Sequence, residues 1–338
     1  MARIKALGVG TPEPPPQDPE EPPPQGPPPP GLDYQYGFAQ QVTVPDRWEI
    51  VNSTVSLQDA VRSGYAATVP DGAVLQSVYL EVADGGAFRS INGATLIGRG
   101  DRPIARWLGR GYASNLLIRG RNLGSDQEDG FRAETGCNFW GDKIAFRDIS
   151  DEHVDFWGPG AKRGTLTRSA SLGDDGREYA IILGNSPDGN PGQVDQWLTL
   201  VDYYFESASR QPRVGAPGAV VHAVNTVHAR WWAGAPQAME TAWGGVIIAQ
   251  GPIFNRDNTS SGGVGAKVHQ GTAGLFIDDP MRLVSSVSLQ PSAGRPRPSL
   301  PYDPIPYSVA QGQANILSLA RKIQNAAAPA FAPKQYAL

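Results

Sequence analysis

The sequence predicts an all-β chain wound as a parallel β-helix, a solenoid with short capping helices at its ends. Three observations predict it. Short apolar, β-rich runs recur about every 20 to 25 residues, the interval of a solenoid coil, whereas a sandwich turns every ~8 to 12 residues. Glycine (40) and proline (31) punctuate the 338 residues often enough to exclude many long helices. Hydrophobic residues make up 40% and charged residues 18%, the balance of a chain that buries a core rather than staying disordered.

The elements follow in chain order. Residues 1–10 contain Arg3 and Lys5 but no apolar stretch long enough for a secretory signal, and they read as a docking peptide. Residues 11–30 hold 12 prolines, four acidic residues and no basic one. Proline fixes φ and lacks an N–H, so 11–31 is expected to be a rigid polyproline II linker of ~3.1 Å per residue. The folded body is then 32–338. Residues 56–61 begin a short helix that would cover one end of the solenoid. The strand-like runs are 74–82, 94–98, 115–119, 143–146, 164–167, 180–184, 197–201, 220–224 and 245–249. Stacked coil on coil, they would bury a column of Val, Ile and Leu and place longer loops to one side. Residues 308–326 carry Ile316, Leu317, Leu319, Ala320 and Ile323 roughly on one helical face and would cover the other end.

Bulk properties exclude several function classes. A formal charge of −4 and a pI near 5.6 argue against nucleic acid as a partner, because phosphate binding needs a basic face. A single cysteine, Cys137, excludes an internal disulfide framework and a cysteine-based metal cluster; inside an apolar run it reads as a buried small residue. No window has the ~18 consecutive apolar residues that a helical membrane span requires. Paired histidines for zinc, a G-x-S-x-G elbow and a phosphate loop are all missing from the sequence.

The informative stretch is 129–155, DGFRAETGCNFWGDKIAFRDISDEHVD, which sets Asp129, Asp142, Asp151 and Asp155 among apolar and aromatic residues. Carboxylates converging from separate segments are what a hard cation such as Ca²⁺ requires. The other reading of Asp129, Asp151 and Asp155 is that they cap turns between coils. His222 and Asn225 lie in an apolar strand and turn and read as core or ladder residues. Trp140, Phe156, Trp157, Trp231, Trp232 and Trp243 divide between core and sugar-stacking roles.

Several segments, in collinear order, resemble the pectate lyases, calcium-dependent β-elimination enzymes folded as right-handed parallel β-helices. LQDAVRSG (57–64) is similar to the family's opening helix, and ASNLLIR (113–119) to its asparagine-led strand. WGDK (140–143) falls at the family's "WIDH", DEHVD (151–155) at its "DGLID" and AIILG (180–184) at its "TMLIG". The resemblance implies that Asp129, Asp151 and Asp155 hold Ca²⁺ and that Arg210 is the base. The bound cation would acidify the C5 proton of a uronate, the base would remove it, and the C4 oxygen would leave. Arginine is ordinarily protonated, so such a base needs a strongly perturbed site.

Three departures stand against that pattern. The substrate-polarising lysine of the family falls on Tyr179. The second arginine of its R-x-P-x-x-R motif is Gly215, and the histidine of "WIDH" is Lys143. Arg177, two positions before Tyr179 and so on the same face of a strand, is the candidate replacement; Arg177, Arg213 and Lys143 are the candidate substrate-binding cations. The expected function is binding, with cleavage in question, of an acidic polysaccharide or host cell-surface glycan. The expected setting is a virion, with residues 1–31 engaging bacteriophage tail proteins. Two alternatives stand beside it: a secreted calcium-dependent pectate lyase, and a structural β-helix with no ligand.

Overall fold

The structure, a computed structural model, describes residues 35–302 except 157, 174–178, 186–194, 207–208, 230, 232–236, 255–263, 271–272, 283–287 and 293–295. The docking peptide, the proline-rich linker, Arg177, Trp157, Trp232 and the expected helix at 308–326 lie outside the described residues.

The chain is a parallel β-solenoid. Every strand pairing is parallel among the described residues, with two ladders running along its length. One is a nine-stranded sheet from Leu80–Val82 through Glu152–Asp155 to Ser288–Gln290. The other, sixteen-stranded, turns a corner within the long strands Ala87–Gly98, Arg110–Arg119 and Asn138–Arg147. Beyond them it divides into two arms. One carries Lys162–Thr167, Gln196–Val201, Ala219–Val224, Val246–Gln250 and Gly274–Asp278. The other carries Ala170–Leu172, Tyr204–Glu206, Val227–His228 and Ile253–Phe254. Each coil therefore presents three strands around one core.

Alternation decides what enters that core. In the nine-stranded sheet Leu80, Ala105, Phe131, Val154 and Ile181 stand in register and point inward, all fully buried. Aromatic rings continue the columns: Phe88, Trp107 and Phe139 stack at 5.6 and 5.2 Å between centroids. The anticipated short helix is Thr54–Arg62, capped by Ser53, whose hydroxyl accepts from Ser56 N at 3.1 Å. Its Leu57 and Val61 join the same core. Cys137 is buried, as its apolar setting implies, and burial pushes its thiol up to about 11.

At the corner between the two arms each coil spends one residue in the left-handed region. Asn115 (φ 54°), Lys143 (56°), Arg168 (48°), Asp202 (52°), Asn225 (52°), Gly251 (62°) and Asp279 (50°) occupy it. Lys143 is thus a corner residue within the sixteen-stranded sheet, which does not carry the cavity described next. Asn225 Nδ2 donates to Asp202 Oδ1 at 3.3 Å, so it is the ladder residue its sequence context suggests.

Candidate functional site

The outward positions of the nine-stranded sheet form one register: Glu81, Arg106, Arg132, Asp155, Ile182, Arg213, Glu240, Lys267 and Gln290. Neighbouring strands lie ~4.8 Å apart, so these side chains, charged except at Ile182 and Gln290, make a ladder along the solenoid. Opposite charges bond along it: Arg106 reaches Glu81 at 3.5 Å and Glu134 at 2.7 Å, and Arg213 reaches Glu240 at 3.7 Å.

A cavity of ≈ 250 Å³ opens on this face, lined by Asp126, Gln127, Arg132, Asp151, Glu152, Asp155, Ile182 and Arg210. Strand pairing assembles it. Asp129 lies in the turn before the strand Phe131–Ala133, and Asp151 immediately precedes Glu152, which opens the next coil's strand. Backbone bonds lock the two turns together: Asp151 N donates to Glu128 O at 3.2 Å, and Gly130 N to Glu152 O at 2.9 Å. Glu152 N also donates to Asp129 Oδ1 at 3.3 Å. As a result, carboxylate oxygens of Asp129, Asp151 and Glu152 all lie within 4.8 Å of one another.

Glu128, fully buried beside them, ties the loops that carry them. Its carboxylate accepts from Arg121 N (2.7 Å), Asn122 N (3.1 Å), Ser150 N (3.1 Å) and Ser150 Oγ (2.6 Å). Gly120 leaves the room for this, since a Cβ there would collide with the Asp148 carbonyl and with Glu128 Oε2.

Four carboxylates (Asp129, Asp151, Glu152, Asp155) face two guanidinium groups (Arg132, Arg210). Burial, then the charge of Asp155, raises the Asp129 carboxyl well above the usual range. Burial and a hydrogen bond with Asp151 push Glu152 up to about 10. Arg132 Nη2 is 2.5 Å from Asp129 Oδ2 and its Nε is 3.0 Å from Asp155 Oδ2. The Asp129 oxygen nonetheless accepts no aligned hydrogen bond, and the residue is fully buried.

Of the three expected metal carboxylates, Asp129 and Asp151 converge, with Glu152 as the third member. Asp155 lines the same cavity and is held by Arg132. Arg210 lines the cavity too. Its backbone is left-handed (φ 55°), its guanidinium is ion-paired with Glu152, and it lies 3.7 Å over the Tyr179 ring. A non-glycine residue in that region is strained, and neighbours must hold it there. Arg210 O accepts from Ile181 N at 2.9 Å, and Gln211 N donates to Ala238 O at 2.9 Å. Arg213 stands on the same face two strands beyond Asp155, 5.6 Å from the Trp243 ring. Gly215 lies under that ring, where a Cβ would approach Trp243 Cε3 to 3.3 Å, so indole fills the space in which the resemblance places an arginine. Trp140, Phe156 and Trp231 are buried, which leaves Trp243, among the described residues, as the partly exposed indole near the groove.

The donor set suits Ca²⁺. Two oxygens bound to one Ca²⁺ at 2.3–2.6 Å stand no more than about 5 Å apart, which the cluster satisfies. The buried Asp129 oxygen has the Arg132 guanidinium as its near neighbour, close but not aligned as a hydrogen bond.

No family model and no curated protein matches the chain. Solved structures do. Jun a 1, the major allergen from cedar pollen, superposes with a TM-score of 0.62 at 15% identity, covering 82% of this chain and 88% of that one. A variant pectate lyase from Xanthomonas campestris gives 0.54 at 14%, covering 85% and 98%. A pectate lyase from Paenibacillus sp. 0602 gives 0.50 at 13%, covering 79% and 88%. The chain is therefore a parallel β-solenoid with the fold of pectate lyases.

Proposed function

We propose that the groove on the nine-stranded sheet binds an acidic polysaccharide through a calcium ion held by Asp129, Asp151 and Glu152. The convergence of these three carboxylates within 4.8 Å, in a pectate-lyase fold, carries the reading. Carboxyl groups alone offer a polyanion no attraction. When bound, the ion supplies the missing positive charge and a link to a uronate carboxylate. The chain's own residues do the rest. Arg210 and Arg213 offer guanidinium forks to further carboxylates, and the Trp243 ring offers an apolar face for a sugar. The test is electrophoresis through a gel containing polygalacturonate. Retardation in Ca²⁺ that disappears in EDTA, and in Asp151→Asn, is expected; equal mobility in all three sinks the reading.

Cleavage by β-elimination is the second reading, favoured by the position of Arg210 in the same cavity. Its guanidinium is in contact with Glu152, and a fork of that kind suits binding a uronate carboxylate. Unsaturated product would absorb in the ultraviolet, and Arg210→Ala would abolish it. No product from the wild type leaves binding alone. The proposed setting is a virion, with residues 1–31 as tether. A chain lacking them is expected to fold but not to assemble onto the particle, and assembly without them would overturn the tether.

A further inference from the structure

We propose that Arg132 is a resident cation of the carboxylate cluster, that calcium enters only by displacing it, and that this exchange sets the groove's affinity for the ion. The inference rests on the calcium reading above. One guanidinium spans two coils, with Nη2 2.5 Å from Asp129 Oδ2 and Nε 3.0 Å from Asp155 Oδ2. Register explains the reach: Arg132 pairs directly with Asp155 on the next strand, and both side chains leave the same face. Ca²⁺ at 2.3–2.6 Å from the Asp129 carboxyl would have this guanidinium as a close, like-charged neighbour, so each opposes the other's presence there.

The hold on Arg132 is also incomplete. The Asp129 contact is close but unaligned, and the third contact, Nη1 to Gln127 Oε1, is long at 3.4 Å. The side chain is 22% exposed and borders the cavity, so it has solvent to move into. Once released, the guanidinium stands beside the proposed glycan path, where a uronate carboxylate would replace the two aspartates as its partner. Removing an ordinary packing residue next to a metal site weakens binding. Removing a competitor strengthens it, and that opposite sign makes the inference testable.

The probes are Ca²⁺ by calorimetry and Tb³⁺ by luminescence, on the full chain as wild type and as Arg132→Gln. The variant is expected to bind at least about tenfold tighter, a modest share of the repulsion between close like charges. Tight uptake by the variant where the wild type shows none would support the inference equally. Equal or weaker binding by the variant overturns it and leaves the calcium site standing. Silence in both proteins removes the site, and Arg132's role with it. A second measurement needs no charge removal. The side-chain Nε–Hε resonance of Arg132, assigned by its loss in Arg132→Lys, is expected to shift as Ca²⁺ saturates the wild type. A resonance that stays in place through saturation overturns the exchange.

Discussion

Glu128 touches no cavity space, yet the cavity depends on it. Four donors from two loops point at one buried carboxylate, and each hydrogen bond to a charged group contributes about 1.5–3 kcal/mol. Glu128→Gln keeps the shape but turns an NH₂ toward N–H donors. It is expected to lower unfolding free energy by about 2–4 kcal/mol in urea, with weaker Ca²⁺ uptake because Asp151 follows Ser150 directly. Unchanged stability would mean the loops hold themselves. At this scale the sequence was only partly legible. Asp129 and Asp151 stood out because acidic residues in an apolar stretch are conspicuous. Glu152 and Arg132 did not, since their roles depend on which coil lies beside them. Phe131 inward and Arg132 outward is an alternation visible in the sequence; that Arg132 meets Asp155 is a matter of register between coils. Lys143 shows the converse. Its position in a motif suggested substrate, whereas stacking makes it one of a file of left-handed corner residues.

Strands were the most legible elements. Each apolar run from 74–82 to 245–249 overlaps a strand, because Val, Ile and Leu at solenoid spacing have one low-energy arrangement. Polar members of the core were harder to read. His228 is fully buried between Phe205 and Phe254, with ring centroids 4.9 Å away on each side. Burial pulls its pKa down to about 3, and that of His222, under Tyr302, to about 4. Both are neutral in the fold, while the unfolded chain protonates them near 6.5. Between 6.5 and those values the unfolded state binds more protons. Stability is therefore fully present above 6.5 and lost as pH falls, by up to ~1.4 kcal/mol per pH unit for each ring. Acidification from pH 6.5 to 5 is expected to remove about 2 kcal/mol through His228 alone. His228→Leu should flatten the slope of urea midpoint against pH, whatever its effect on absolute stability. An unaltered slope would assign the acid sensitivity elsewhere.

On the scale of the whole molecule, the sequence divides the chain near residue 32, and the strap that begins the described chain makes that boundary consequential. The short 3₁₀ turn Gly37–Gln41 lies across the outer face of the corner-turning sheet. Ala39 N donates to Thr165 Oγ1 at 3.1 Å, Asn138 Nδ2 to Phe38 O at 3.2 Å, and Phe38 meets Tyr302 edge-on at 5.2 Å. Tyr302 in turn bonds Thr199 and His222, so segments far apart in the chain close over one face. Ala39 and Val42 cover Tyr112 and Trp140, which are otherwise outward-facing aromatics. Composition revealed the proline-rich stretch, but nothing in residues 35–44 marks a strap, because its partners are non-local. Two truncations separate the parts. Removing residues 1–31 leaves the strap and is expected to leave the urea midpoint unchanged. Removing residues 1–44 strips Phe38 and Val42 from their seats and exposes aromatic surface. At roughly 1.5–3 kcal/mol for each large apolar side chain, it is expected to cost about 3 kcal/mol or more and to promote association through the bared sheet. If both truncations unfold alike, the strap contributes nothing to the solenoid and the working boundary lies after it.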